Sequence, residues 1–291
     1  MICASLFAQR PYNANIESSH TFIYKSIDST DLKLWVFNPD KHKSTDSKPA
    51  IIFFFGGGWQ DGSPTQFVKH CEYFSARGIV AMVADYRVKS RHKVDAVSCV
   101  ADAKSAIRWM REHALDLGID SNKIIASGGS AGGHLAVSTA IIDKYDDPKE
   151  NLYVSSKPNA LVLFNPVLIT APALGLERFK DQFTRMEARL GVVPSSLSPY
   201  HNIKEQLPPI IIFHGTEDST TPYETAVMFT QKMKDYKNQC LLIGYEEQKH
   251  GFFNFGRKSN ASFIDTVNKM DEFLVSLGYL EGPPKTIIFE D

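Results

Sequence analysis

The chain has 291 residues, 43% of them hydrophobic and 22% charged, with 32 basic and 33 acidic side chains and a formal charge of −1. That length can bury a sizeable core in one large domain or two small ones, and the composition is that of a folded protein. Balanced charge with no basic stripe excludes a nucleic-acid partner, and no apolar run reaches the roughly 18 residues needed to span a bilayer.

In chain order, residues 1–9 (Met-Ile-Cys-Ala-Ser-Leu-Phe-Ala-Gln) are apolar and small. They resemble the tail of a secretory signal peptide without its positive n-region, so cytoplasmic and exported locations both stay open. Strand-like runs at 20–27 and 32–38 follow with no helix between them, which predicts an antiparallel start. Further runs at 50–55, 79–85, 123–127, 160–165, 210–214 and 240–245 alternate with amphipathic stretches at 65–77, 94–117, 132–142, 223–236 and 261–277. The runs at 50–55, 123–127, 160–165 and 210–214 are short and continuously apolar, as strands covered on both faces are. The pattern predicts an α/β protein in which one domain, residues 1–291, forms an eight-stranded, mostly parallel sheet with helices on both faces. Residues 1–20 read as an extension before it.

One stretch, 168–207, does not fit the alternation. Phe179, Phe183, Met186 and Leu190 fall at helical spacing within it and predict a helix over 179–190. An insertion at the carboxyl end of a sheet strand is where a cap or lid would sit over a site. The densest basic run, 87–93, follows a strand and reads as a solvated loop. Cys3, Cys71, Cys99 and Cys240 have no CxxC spacing, so three of them read as free buried thiols and none as a metal ligand. The tail 281–291 could pack on its own sheet or on a neighbouring chain, and the oligomeric state is open, a homodimer included.

The strongest chemical signal is Gly128-Gly129-Ser130-Ala131-Gly132, with a strand running into it and a helical pattern leaving it. That context suits a nucleophile elbow, where small residues on both sides let a strained turn project the serine hydroxyl above a sheet. The following helix N-terminus favours developing negative charge. Upstream, Phe55-Gly56-Gly57-Gly58-Trp59 ends a buried strand with amides that no side chain shields. Acyl transfer needs such donors near the oxyanion, whereas a phosphate loop would end Gly-Lys-Ser/Thr, which is absent.

A serine hydroxyl needs a histidine to take its proton and a carboxylate to orient that histidine, and after an elbow serine the chain order is acid, then histidine. The histidines after Ser130 are His134, His201, His214 and His250. His134 lies too close to curl back, His214 reads as a structural partner in its turn, and His201 as a surface group. His250, in a loop after the last strand, is the candidate base. Glu217 and Asp218 compete as the acid after the seventh strand, with Asp218 favoured as one residue further into the loop.

With these motifs in place, the chain resembles the hormone-sensitive-lipase-like and acetylesterase-like carboxylesterases of the α/β-hydrolase superfamily. The resemblance covers most of residues 20–280 and rests on Gly56-Gly57-Gly58-Trp59 with Gly62-Ser63, Asp85-Tyr86-Arg87 and Asp102-Ala-Lys-Ser-Ala-Ile-Arg-Trp109. The elbow, His214-Gly-Thr-Glu-Asp218 and His250-Gly251-Phe252 complete it. It implies Ser130, Asp218 and His250 as a catalytic triad, the amides of Gly57, Gly58 and Ala131 as oxyanion donors, and Trp59 as a substrate contact. It also implies hydrolysis of small short-acyl esters, acetylated sugars among them, with no metal or organic cofactor.

Two positions depart from the lipase-like pattern: Phe55 stands where that branch has His, and Gly129 where it has Asp. A long N-terminal cap is also missing, so the cap material is mostly 168–207 and implies a partly open site. The competing readings are a prolyl-oligopeptidase-like peptidase, whose usual additional domain has no room here, and a catalytically silent hydrolase fold used for binding.

Overall fold

The computed structural model describes residues 14–286; the signal-like stretch 1–9 with Cys3, and the last five residues of the tail, lie outside the described residues. Eight strands make one sheet: β1 (His20–Ile27), β2 (Thr30–Phe37), β3 (Lys48–Phe54), β4 (Val80–Ala84), β5 (Ile119–Gly129), β6 (Ala160–Phe164), β7 (Ile210–Gly215) and β8 (Cys240–Tyr245). Their order is β1-β2-β4-β3-β5-β6-β7-β8. β2 runs antiparallel to β1 and to β4, and every other pairing is parallel. The sheet is therefore mostly parallel with an antiparallel start, as the strand spacing predicts.

Strand periodicity assigns the two faces. Ile52, Phe54, Met82, Ala126, Leu163 and Ile212 point into one core with α3 (Ala96–Glu112), α4 (Ala131–Ile141) and α6 (Tyr223–Asp235). Their neighbours Ile51, Phe53, Val83, Ile125, Phe164 and Ile211 point into a second core with α1 (Val68–Ala76) and α7 (Ala261–Ser276). Burial on both faces is why these strands read as unbroken apolar runs. The carboxyl ends of β3, β5, β6, β7 and β8 all open on one edge, the usual ligand edge of a parallel sheet.

Several boundaries move for local reasons. The helix expected at 65–77 begins as a 3₁₀ turn, Pro64–Phe67, in which the Ser63 hydroxyl accepts from the Thr65 amide at 3.3 Å and Pro64 occupies the first turn. β5 starts four residues before the expected 123, through polar residues that sequence pattern alone assigns to a loop. The basic run at 87–93 is not a solvated loop. It contains a one-turn helix, α2 (Lys89–His92), and Arg87 and Arg91 turn inward onto buried carboxylates.

In 168–207 a short 3₁₀ turn, Glu177–Phe179, leads into α5 (Lys180–Glu187). Phe183 and Leu190 are buried, and Phe179 and Met186 pack against the same core. Arg178 pairs with Glu224 of α6, and Gln182 donates to the carbonyl of Thr220, which ties this segment to the loop after β7. At the other end, the Lys285 amide donates to the Tyr73 hydroxyl at 3.2 Å and Arg77 donates to the Glu281 carbonyl at 3.1 Å, so this part of the tail docks on α1 of its own chain. Cys71, Cys99 and Cys240 are free and buried. Among the described residues no helix is long and apolar enough to cross a membrane.

Candidate active site

Ser130 sits where β5 turns into α4, with φ 55° and ψ −119°, a conformation that costs of order 1–3 kcal/mol for a residue bearing a side chain. The turn closes because its flanks are bare. A Cβ on Gly128 would lie 2.5 Å from the Gly132 carbonyl carbon, and one on Gly132 would lie 2.0 Å from the Phe54 carbonyl oxygen. The Ser130 amide donates to the Phe164 carbonyl at 2.8 Å, which fixes the turn to β6. Gly129 departs from the lipase-like pattern for a visible reason: the Phe253 ring fills the space a side chain would need, 2.5 Å from a built Cβ.

Asp218 follows β7 and its side chain is fully buried. Every lone pair is used. Oδ1 accepts from the amides of Thr220 and Thr221 at 2.8 and 2.9 Å, and Oδ2 from Asn165 Nδ2 at 2.7 Å and the Thr221 hydroxyl at 2.8 Å. Oδ2 also pairs with His250 Nδ1 at 2.7 Å. Burial pushes this carboxyl up, but the hydrogen bond and charge of His250 and the Thr221 amide outweigh it, and the net position is below the usual carboxylate range. The His250 ring is 26% exposed, so one edge meets the buried carboxylate while the rest faces the cleft. Glu217, the rival acid, is exposed.

The glycine loop after β3 is built differently. Gly57 has φ 128° and Gly58 φ 62°, and a Cβ on Gly57 would lie 2.0 Å from the Asp61 carbonyl oxygen. The amides of Gly57, Gly58 and Ala131 make no hydrogen bond to another described residue. Neighbours hold the loop in place. Gln66 accepts from the Gly56 amide at 2.7 Å and donates to Asn254 Oδ1 at 2.8 Å, joining the loop to the one that carries His250. Phe55 stacks on Tyr86 at 4.1 Å, and the Tyr86 hydroxyl donates to the Phe55 carbonyl at 2.7 Å. Aromatic stacking thus stiffens the strand end where the lipase-like pattern has a hydrogen-bonding histidine. Beneath it Arg91 bonds the Gly62 carbonyl and Asp85, at 2.8 and 2.9 Å, while burial raises the Asp85 carboxyl to about 6.

Ser130 lines two clefts. One, of about 490 Å³, is walled by Gly57, Gly58, His250 and Arg257; the other, of about 220 Å³, by Gly58, Trp59, Met186, Arg189 and Thr221. The candidate serine, histidine and glycine amides therefore meet on one edge of the sheet, with Asp218 behind His250. Trp59 is nearly buried, its ring edge-on to His134 at 5.1 Å. His134 itself donates to or accepts from nothing in the cleft; Nε2 bonds the Leu197 carbonyl at 2.8 Å, and burial lowers its pKa to about 4. His214 Nε2 bonds the Thr221 carbonyl at 2.7 Å within the acid loop. His201 is not a surface group: it is half-buried, with Nδ1 2.8 Å from the Ser198 hydroxyl.

Sequence reasoning missed Asn165, Thr221, Gln66 and Asn254. Asn165 lies directly after β6 with φ 41°, a conformation asparagine tolerates, and its partner Asp218 is 53 residues away in sequence. Nothing in the pattern joins Gln66 to Asn254, 188 residues apart.

Comparison with known proteins gives one family model, BD-FAE, matching residues 34–233. Esterase LipC of Mycobacterium tuberculosis is 28% identical over 232 residues, 73% of this chain and 55% of LipC. An acetylxylan esterase of Xylanibacter ruminicola is 26% identical over 216 residues, 70% of this chain and 41% of that protein. The chain spans about half the length of the curated relatives it matches. Among solved structures, the apo form of Thermogutta terrifontis esterase 2 is 51% identical with a TM-score of 0.89, over 93% of this chain and 99% of that one. The same esterase phosphoramylated by tabun matches at 51% identity and a TM-score of 0.85, over 90% and 96%.

Proposed function

The chain has the α/β-hydrolase fold and belongs to the BD-FAE family, and on that premise we propose that it is a serine carboxylesterase acting on short-acyl esters. Ser130 attacks the ester carbonyl as His250 takes its proton. The amides of Gly57, Gly58 and Ala131 receive the oxyanion, aided by the N-terminus of α4. His250 then protonates the departing alcohol, and a water activated by the same imidazole clears the acyl-enzyme. Asp218 keeps the proton of His250 on Nδ1, leaving Nε2 to accept. Trp59 walls the acyl side, and the 168–207 segment acts as a small cap that leaves the site partly open.

The observation that carries this reading is the buried, fully bonded Asp218 paired at 2.7 Å with a histidine that shares a cleft with Ser130. The likeness to an acetylxylan esterase and the roomier cleft on the His250 side favour an acetylated sugar as a second reading for the alcohol half.

A fluorophosphonate probe should label the protein, and Ser130→Ala should abolish labelling. Acetyl and butyryl esters should turn over faster than octanoyl esters, with an acetylated xylo-oligosaccharide testing the second reading. Labelling that persists in Ser130→Ala, or an inability to cleave any of these esters, sinks the proposal.

A further inference from the structure

The smaller cleft beside Ser130 carries an electrostatic feature that hydrolysis of a neutral ester leaves unused. Gln182, Arg185 and Met186 of α5, and Arg189 just beyond it, follow a helical i, i+3, i+4, i+7 stripe and form the wall of that cleft facing Ser130. The Arg189 guanidinium comes close to the glycine loop, with Nη1 3.0 Å from a Cβ built on Gly58. Among the described residues neither Arg185 nor Arg189 has a side-chain hydrogen bond or an acidic partner, although ion pairs occupy other arginines of the chain. Neither cleft that Ser130 lines includes an aspartate or glutamate in its wall. In a chain whose formal charge is only −1, two cations on one side of a cleft with no counter-charge are a local arrangement and not a reflection of net charge.

Resting on the esterase reading, we propose that the acyl half of the substrate ends in a carboxylate, which Arg185 and Arg189 receive. The geometry decides which half goes where. His250 must reach the departing alcohol, and it lines the larger cleft and not the smaller one, so the acyl chain enters beneath α5. There Trp59, Val167 and Met186 offer an apolar wall for a few methylenes, and the exposed Arg185 and Arg189 line the same cleft, Arg189 beside Gly58. Guanidinium forks match carboxylates bidentately, which gives direction as well as affinity. The volume of about 220 Å³ limits the acyl group to a short diacid. Cleavage breaks the bond between acyl carbon and alcohol oxygen, consumes one water, and releases a dicarboxylate, the alcohol and one proton.

The test compares monomethyl glutarate with methyl hexanoate, a neutral ester of similar length, by methanol release at low ionic strength. In the wild type kcat/KM should favour the hemiester about tenfold, a figure kept modest because the arginines are exposed. That preference should shrink severalfold at about 0.5 M salt. The ratio between the two substrates should fall to about one in Arg185→Gln/Arg189→Gln and below one in Arg189→Glu; being a ratio within one preparation, it is insensitive to partial misfolding. A wild-type ratio of one or less overturns the proposal, as does a preference untouched by the double variant. So does a preference for a carboxylate on the alcohol half that Arg257→Gln removes. A wild type that cleaves neither ester and takes no fluorophosphonate sinks the esterase reading itself, whereas cleavage of methyl hexanoate without preference sinks only this inference.

Discussion

The loops after β7 and β3 meet at the same edge of the sheet and treat their polar groups in opposite ways. Around Asp218 every acceptor is filled, by two amides, an asparagine, a hydroxyl and an imidazole. Around Gly57 and Gly58 the amides bond no other described residue, in backbone that glycine adopts most readily. A saturated network is rigid and costs little to keep buried, so it suits a group that must hold a position and a charge. Unpaired amides suit a group that must receive charge only when it develops, because they are already oriented and no internal bond has to break. Gln66 and Asn254 join the glycine loop to the loop after β8 that carries His250, and the imidazole carries the link on to Asp218.

Breaking the filled side should have the largest effect. In Asp218→Asn the amide can present an N–H to His250 Nδ1 and favour the wrong tautomer, so kcat should fall by about 10⁴. The same variant should lose a pH-dependent part of stability. The folded-state pKa of Asp218 lies below its unfolded value, so its contribution is present above roughly pH 4 and lost as the pH falls through the lower folded value. Urea titrations across pH 6 to 3 should show that acid limb in the wild type and a shallower one in Asp218→Asn. A variant retaining more than about a tenth of wild-type kcat would remove Asp218 from the proposed machinery.

Breaking the empty side should cost less. In Gly57→Ala the new methyl meets the Asp61 carbonyl 2.0 Å away at a φ of 128°, so the loop has to shift and its amides with it. Removal of one oxyanion donor typically lowers kcat by about 10²–10³. Steady-state kinetics on a short ester should show that loss in kcat with KM changed far less. Undiminished kcat would mean that these amides do not receive charge in the reaction.

How much of this contrast sequence could carry differs by residue. β6, β7 and the apolar stretches of β3 and β5 are legible because burial on both faces keeps those runs apolar, and Ser130 because the strained turn demands small flanking residues. The pairing of Asp218 with His250 is legible only as chain order, since position after β7 and β8 brings the loops to one edge without fixing their contact. Asn165 and the Gln66–Asn254 bridge were beyond reach. Each is an ordinary polar residue whose role depends on a partner 53 or 188 positions away, and no local period encodes that. The basic run at 87–93 failed for a related reason: its arginines look solvated until Asp102 meets Arg87 from α3 and the turn after β4 brings Asp85 back onto Arg91.

The smallest effect sharpens the contrast from outside the site. Among the described residues His70 also lacks hydrogen-bond partners, at both ring nitrogens, yet it lies fully buried among Phe53, Phe67, Phe164 and Phe263, sealed from solvent. If unpaired donors marked chemistry by themselves, His70 would be functional; what separates it from Gly57 is that no ligand can reach it. Its unmet hydrogen bonds are then a pure cost to folding, and His70→Phe, which offers the same aromatic cage a ring without polar atoms, should stabilise the protein by about 1 kcal/mol at pH 7.5. The gain should grow in acid. Burial holds the folded-state pKa of His70 at about 3, below the roughly 6.5 of an unfolded histidine, so the neutral ring's stability is whole above that value and drains away as the pH falls toward 3. At pH 5 the gap between variant and wild type should widen by about 2 kcal/mol, measurable as a shift in the urea midpoint, while kcat on a short ester stays within about twofold. A gap that is constant between pH 7.5 and 5 would mean that His70 finds a partner in the folded protein after all.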